Sequence, residues 1–362
     1  MMLRAALLGV LMATASQACA LAGPVGEAHR MTTTPTAALR DAEHRPDLRI
    51  TVWYPAAEGA AETPLIIGPP DAPLFDIGSS AADAPFAEPA KRKPVVLLSH
   101  GFGGSARMMG WFGTALARQG YVVIAVDHPG NNAVDKMTPA GASLWWNRPG
   151  DLAAALAKVK GDPLLGSQLD LRRVGAAGFS AGGFTALAAT GARVDVDHMN
   201  AFCADHPEDG VCKPQIEFPV SAEQRKALLA DPAVQTNRVT ASGAHAIPEV
   251  RAAFAMAPAL VQAFDPASLA SLRKPVHVVL GDIDQVAPPQ TNGMVLGEVV
   301  PGAEVTVLTN VAHYDFLSTC SAQGKVALPQ LCAAKTPQDA THARTIEEAL
   351  AFFGKTLAAP GS

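Results

Sequence analysis

The chain has 362 residues, 49% of them hydrophobic and 17% charged, with a formal net charge of −5 at pH 7. That length gives one sizeable domain enough apolar material for its own core, with residues left over for an insertion or cap. The acidic balance and the scattered lysines and arginines, with no basic stripe carrying interleaved aromatics, exclude nucleic acid as the expected partner.

In chain order, residues 1–22 read as a secretory signal. Arg4 supplies the positive charge, Ala5 to Ala13 the apolar core, and Ala18-Cys19-Ala20 or Ala20-Leu21-Ala22 a small-residue cleavage site. A lipoprotein reading of Cys19 lacks the usual leucine three residues back, where Ser16 stands. The apolar stretch is short for a membrane span and no later segment reaches about 18 apolar residues. The expectation is an exported, periplasmic or secreted protein with no integral span, folded over residues 23–362.

Short apolar runs predict strands at Ile50 to Tyr54, Val95 to Ser99, Tyr121 to Val126, Val174 to Ala177, Ala252 to Ala257, Val276 to Leu280 and Glu304 to Leu308. Between them, Met108 to Gln119, Asp151 to Lys160, Phe184 to Thr190, Pro289 to Leu296 and Ala340 to Phe353 predict helices. This alternation gives an α/β fold with a doubly wound, mostly parallel sheet. Asp71 to Glu88, rich in alanine and proline, reads as an irregular surface loop. Gly191 to Glu249 breaks the alternation directly after one helix. It holds a short helix at Ala222 to Ala230 and is a candidate cap insertion.

Gly178-Phe179-Ser180-Ala181-Gly182-Gly183 joins a strand to a helix, the context of a nucleophile elbow. Such a turn strains the serine backbone and crowds its neighbours, which accounts for Gly178 and Gly182. It also lifts the Ser180 hydroxyl above the sheet, beside the Ala181 N–H and a helix N-terminus. A serine hydroxyl needs a base and a carboxylate to orient that base, and in this architecture both follow it on loops after later strands. Gly281-Asp282-Ile283-Asp284 follows one such strand. Asp284 is the preferred acid because it can turn back toward the sheet edge, and Asp282 is left to Asx-type turn bonds. Only His313 and His342 lie beyond Asp284. His342 sits in a polar, helical stretch, so His313 is the base.

The second oxyanion donor is expected in the loop His100-Gly101-Phe102-Gly103-Gly104, as the backbone N–H of Phe102. That loop lacks G-x-G-x-x-G and a P-loop lysine, so it is not read as a nucleotide site. His100 is read as structural. Asp127 is read as a turn stabiliser, and neither it nor His128 is assigned to catalysis.

Together these segments resemble the α/β-hydrolase superfamily from about Arg49 to about Lys355. Within it, the chain resembles bacterial dienelactone-hydrolase-like serine hydrolases related to platelet-activating-factor acetylhydrolases. That closer likeness rests on Arg49-Ile50-Thr51-Val52-Trp53-Tyr54-Pro55-Ala56, Asp127-His128-Pro129-Gly130-Asn131, Asn147-Arg148-Pro149-Gly150-Asp151 and His313-Tyr314-Asp315-Phe316-Leu317 running to Cys320. True dienelactone hydrolases carry cysteine where Ser180 stands. Acetylhydrolase relatives usually carry histidine and phenylalanine where Phe179 and Ala181 stand. The first departure bears on lactone-diene chemistry and the second on a phospholipid substrate, so the resemblance by itself implies neither.

If Cys19 leaves with the leader, four cysteines remain, and short separations pair Cys203 with Cys212 and Cys320 with Cys332 in an oxidising compartment. A metal site among His198, Cys203, Asp205 and His206 fits no zinc spacing. The reading is an exported serine esterase acting on a small-molecule or lipid-like ester, with no metal or organic cofactor. Trp111, Trp145, Trp146 and Phe316, beside Phe102, are candidates for its apolar pocket. A serine peptidase or amidase using the same three residues is the alternative, and a non-catalytic binding protein on this fold is another.

Overall fold

The computed structural model describes residues 23–359. The expected leader and Cys19 lie outside them. The strands are β1 (Val25–Thr33), β2 (Asp47–Pro55), β3 (Thr63–Ile67), β4 (Phe75–Ala82), β5 (Lys93–Ser99), β6 (Val122–Asp127), β7 (Leu169–Phe179), β8 (Val250–Met256), β9 (Val276–Gly281), β10 (Glu304–Leu308) and β11 (Thr319–Cys320). They form one sheet in the order β10-β9-β8-β7-β5-β6-β2-β1-β4-β11, with β3 paired to β4. From β10 through to β6 every neighbour is parallel; β2 then runs antiparallel to β6 and β1.

The parallel strands are buried on both faces. Alternate residues of β5 feed two apolar clusters: Val95 and Leu97 pack into one with Leu187 and Phe264, and Val96 and Leu98 into the other with Phe112, Phe254 and Phe353. This is why these strands read as continuous apolar runs rather than as alternating patterns. Helices Gly110–Arg118 and Gln338–Thr356 contact each other on one side, and Arg148–Lys160 contacts Ala181–Thr190 on the other.

The segment 71–88 is not a surface loop. It contains β4, which pairs with β1, β3 and β11. Phe75 and Ile77 are buried, but Gly78, Ser79 and Ser80 follow them and erase the apolar signal a strand usually carries. Strand β1 also went unanticipated because Glu27, His29, Arg30, Thr32 and Thr33 occupy much of it. The expected helix Pro289 to Leu296 splits into a 3₁₀ turn at Pro289–Thr291 and a helix at Gly293–Val299. Asn292, at φ −123° and ψ −95°, interrupts it. The helix after the elbow starts three residues earlier than expected, at Ala181–Thr190, and all ten of its residues are buried. Ala257 lies beyond β8 with φ 40°.

Both cysteine pairs are bonded, Cys203–Cys212 with Cα atoms 5.3 Å apart and Cys320–Cys332 with 5.9 Å. Loops of this length are stabilised by roughly 3 kcal/mol when bridged. Among the described residues no helix is long and apolar enough to cross a membrane.

Candidate active site

Ser180 stands between the end of β7 and the helix Ala181–Thr190, with φ 55° and ψ −120°. A non-glycine residue at positive φ is strained, and here the surroundings over-determine it. The Ser180 N–H donates to Met256 O at 2.9 Å, and its carbonyl accepts from Gly183 N at 2.8 Å and Ala259 N at 3.1 Å. The flanking glycines are required by close approach: a Cβ at Gly178 would lie 2.1 Å from Gly182 O, and one at Gly182 would lie 2.0 Å from Ser99 O.

The Ser180 hydroxyl lies 2.8 Å from His313 Nε2, to which it donates, and His313 Nδ1 donates to Asp284 Oδ2 at 2.6 Å. All three side chains are buried. Asp284 Oδ1 accepts from the N–H groups of Val286 and Ala287, each at 2.8 Å. The Asx-type turn expected of Asp282 therefore belongs to Asp284, and Asp282 points to solvent. One carboxylate both shapes its own loop and holds the imidazole, which fixes the histidine tautomer that leaves Nε2 free to accept a proton.

Ser180, Ala181 and Phe102 line a cavity of about 420 Å³. Ala181 is the first residue of its helix, where backbone N–H groups have no intrahelical acceptor. Phe102 lies on the loop after β5, and a Cβ at Gly101 would lie 2.9 Å from the Phe179 ring. Among the described residues neither the Phe102 nor the Ala181 N–H has a backbone acceptor. Both residues line the same cavity as Ser180.

Trp145 and Trp146 also line the cavity, but Trp111 and Phe316 do not. They belong to the apolar cluster on the other face of the sheet. Trp111 stacks on His342 with ring centroids 3.8 Å apart and donates its indole N–H to Phe316 O at 3.1 Å. Phe316 packs beside Phe179 at 6.1 Å. These rings support the His313 segment from behind, a position that their sequence neighbourhood does not distinguish from the pocket side.

More than half of the lining residues come from the insertion, among them Met199, Cys203, Phe218 and Leu228. The insertion also touches the loops around Ser180. Tyr314 OH donates to Glu217 Oε1 at 3.0 Å, and Glu217 Cβ would lie 2.9 Å from a Cβ at Gly103. Thr291 donates to Asp209 Oδ2 at 2.7 Å, and Trp146 Nε1 donates to Asn237 Oδ1 at 3.0 Å. Burial, with the Glu217 charge adding to it, raises the Tyr314 hydroxyl well above its ordinary pKa, so it stays protonated and keeps donating. Glu217 and Asn237 sit in a segment with no strong periodicity, and nothing in the sequence singled them out. Cys203 is bonded to Cys212, which removes its thiolate as a ligand, and His198 Nδ1 donates to Gln262 O at 2.7 Å.

A buried polar network underlies the Phe102 loop. Arg40 makes two bonds to Asp151, at 2.6 and 2.8 Å; His128 Nδ1 donates to Asp151 at 2.8 Å, and Ser99 donates to His128 Nε2 at 2.8 Å. His100 Nδ1 donates to Gly101 O at 2.6 Å, while its Nε2 accepts the His128 N–H at 3.1 Å. Asp127 accepts the N–H of Ala106 at 2.8 Å. Burial drives His128 down to about 3, helped by the nearby Arg148 charge, and drives His342 down to about 4. Burial opposes the charge on Asp151, but Arg40 and His128 bring it to about 2.

These values predict acid lability. Between pH 6.5 and about 4 the unfolded histidines, with a pKa near 6.5, take up protons that the folded ones refuse, so stability is complete above this window and is lost as pH falls through it. Each histidine contributes a slope of at most about 1.4 kcal/mol per pH unit. Calorimetry from pH 7.5 to 4.5 should show Tm falling, less steeply in His342→Gln. A variant slope equal to that of the parent would refute the assignment.

Comparison with known proteins agrees with this architecture. Residues 77–139, which include most of β4, all of β5 and the Phe102 loop, match the family model described as platelet-activating factor acetylhydrolase, isoform II. No curated protein matches the chain. A ferulic acid esterase from Streptomyces cinnamoneus superposes with a TM-score of 0.60 at 21% identity, covering 92% of this chain and 90% of that one. Esterase 2 of Thermogutta terrifontis, phosphorylated by paraoxon, gives 0.49 at 16% identity, covering 91% and 96%. The parallel strand order, the turn at Ser180 at the end of β7 and the likeness to the ferulic acid esterase establish that the chain has the α/β-hydrolase fold, and over residues 77–139 it is similar to the isoform II platelet-activating factor acetylhydrolases.

Proposed function

We propose that the protein is an exported serine hydrolase that cleaves carboxylic esters. The observation that supports this most is the unbroken relay from Ser180 Oγ through His313 to Asp284, set beside two backbone N–H groups at a cavity. In the proposed reaction Ser180 Oγ attacks the ester carbonyl carbon while its proton passes to His313 Nε2. The N–H groups of Ala181 and Phe102 hold the oxyanion, and Asp284 stabilises the imidazolium. Collapse breaks the bond to the alcohol, which leaves with the proton from His313. Water then attacks the acyl carbon as His313 takes its proton; collapse breaks the bond to Ser180 Oγ, which recovers the proton from His313, and the acid is released.

The Gly191 to Glu249 insertion acts as the cap, because it supplies most of the cavity wall and hydrogen-bonds to the loop carrying His313. Export is supported by the leader-like residues 1–22 and by two disulfides, which persist in oxidising compartments.

A fluorophosphonate probe tests the reading directly. Intact-mass analysis should show one adduct, mapped to the peptide carrying Ser180, and the adduct should be lost when the protein is unfolded first. A folded, oxidised protein that takes up no label would overturn the proposal.

A further inference from the structure

All the charged residues that line the cavity are cations. They are Arg148, Lys213, Arg225 and Arg238, and no carboxylate joins them, although the chain as a whole has a net charge of −5. Arg238 has a partner in Asp197 at 3.5 Å. Among the described residues Lys213, Arg225 and Arg148 have no ion pair within reach.

Arg148 is the informative one. Its side chain is only 2% exposed, its Nη2 donates to His100 O, and its Nε and Nη1 have no acceptor among the described residues. The neighbouring carboxylate, Asp151, is taken up by Arg40 and His128. Buried charges are normally paired, because leaving water without a counter-charge carries a large penalty. Burial lowers the guanidinium to about 9, so it is still cationic at neutral pH. A cation of this kind in the wall of a mostly apolar cavity acts on its contents through a medium that screens poorly.

Building on the esterase reading, we infer that the preferred substrate is an ester bearing a free carboxylate, drawn in past Lys213 and Arg225 and held in the field of Arg148. The exposed cations from the insertion raise the local concentration of anions, and the buried one fixes which end of the substrate lies deep. Phe102, Trp145 and Leu228 leave apolar surface for the chain between the carboxylate and the ester.

The test compares monoethyl adipate with ethyl heptanoate, an uncharged ester of similar chain length, on the full oxidised protein at low ionic strength. The expected kcat/KM ratio favours the charged ester by about 10- to 100-fold, the range for charge-assisted contacts. That ratio should shrink as salt rises. In the double variant Lys213→Glu, Arg225→Glu, whose sites are exposed, the ratio should fall by at least about tenfold through lost steering. Arg148→Gln should lower it further, and Arg148→Lys should recover part of it.

If the parent hydrolyses ethyl heptanoate in a Ser180-dependent way with a ratio near or below 1, the anion preference is wrong and the esterase reading stands. If neither ester nor any nitrophenyl ester is cleaved, the esterase reading itself fails. Equal loss on both esters in Arg148→Gln, with the ratio unchanged, would remove Arg148 from the preference. A ratio unmoved by the double variant would do the same for the rim.

Discussion

Replacing Ser180 by alanine is expected to reduce ester hydrolysis by on the order of 10⁴-fold or more, because removing the nucleophile of such a relay leaves only the background contribution of oxyanion binding. The change removes one hydroxyl, hydrogen-bonded to His313, while the backbone contacts to Met256, Gly183 and Ala259 remain. Tm should therefore be unchanged or slightly raised, since residues held for function are often suboptimal for stability. The measurement is hydrolysis of p-nitrophenyl esters from acetyl to long acyl, parent beside variant, with matched circular dichroism. Activity within tenfold of the parent would show that the reaction does not pass through Ser180. The acyl length giving the highest kcat/KM would also report how much of the cavity the acyl chain fills.

Asp284→Asn is expected to lower kcat by about 10⁴-fold with little change in KM, the size seen when a relay histidine is left in the wrong tautomer. The local geometry explains how. Asp284 Oδ1 accepts two backbone N–H groups, so an asparagine keeps its carbonyl oxygen there and presents its NH₂ to His313 Nδ1. That nitrogen must then accept, the ring proton moves to Nε2, and Nε2 can no longer take the proton of Ser180. Because the turn is preserved, Tm should move little, and a large drop in Tm would mean that activity was lost through the fold instead. Kinetics and differential scanning calorimetry on the same preparation separate the two.

The central strands were legible in the sequence because burial on both faces leaves uninterrupted apolar runs, as in Val95 to Ser99 and Val276 to Leu280. The elbow was legible because its steric demands admit little except glycine at 178 and 182. The antiparallel edge was not. Strands β1 and β4 carry many small or polar residues on an outer part of the sheet, where pairing with neighbours rather than apolar content makes the strand. The site divided in the same way. Chain order and loop position were enough to bring Ser180, Asp284 and His313 together. Which aromatic faces the cavity depends on which side of the sheet it stands, and local sequence assigned Trp111 and Phe316 to the wrong side. Arg148 and Glu217 escaped notice as site residues because their meaning lies in partners about 48 and 97 positions away in sequence, or in the absence of any.

The two halves of the cavity wall rest on very different foundations. Ser180, Ala181 and Phe102 sit at the mouths of buried parallel strands, where a Cβ added at Gly178 or Gly182 would meet backbone at about 2 Å. Opposite them, the helix Ala222–Ala230 supplies Arg225, Leu228 and Leu229 to the wall and has no buried residue of its own. Substitutions at such exposed positions usually shift stability by no more than about 0.5 kcal/mol. Descendants of this chain can therefore drift in what they select through one surface helix while the reacting centre stays frozen, so diversity among its relatives should accumulate in the cap long before it reaches the strand ends.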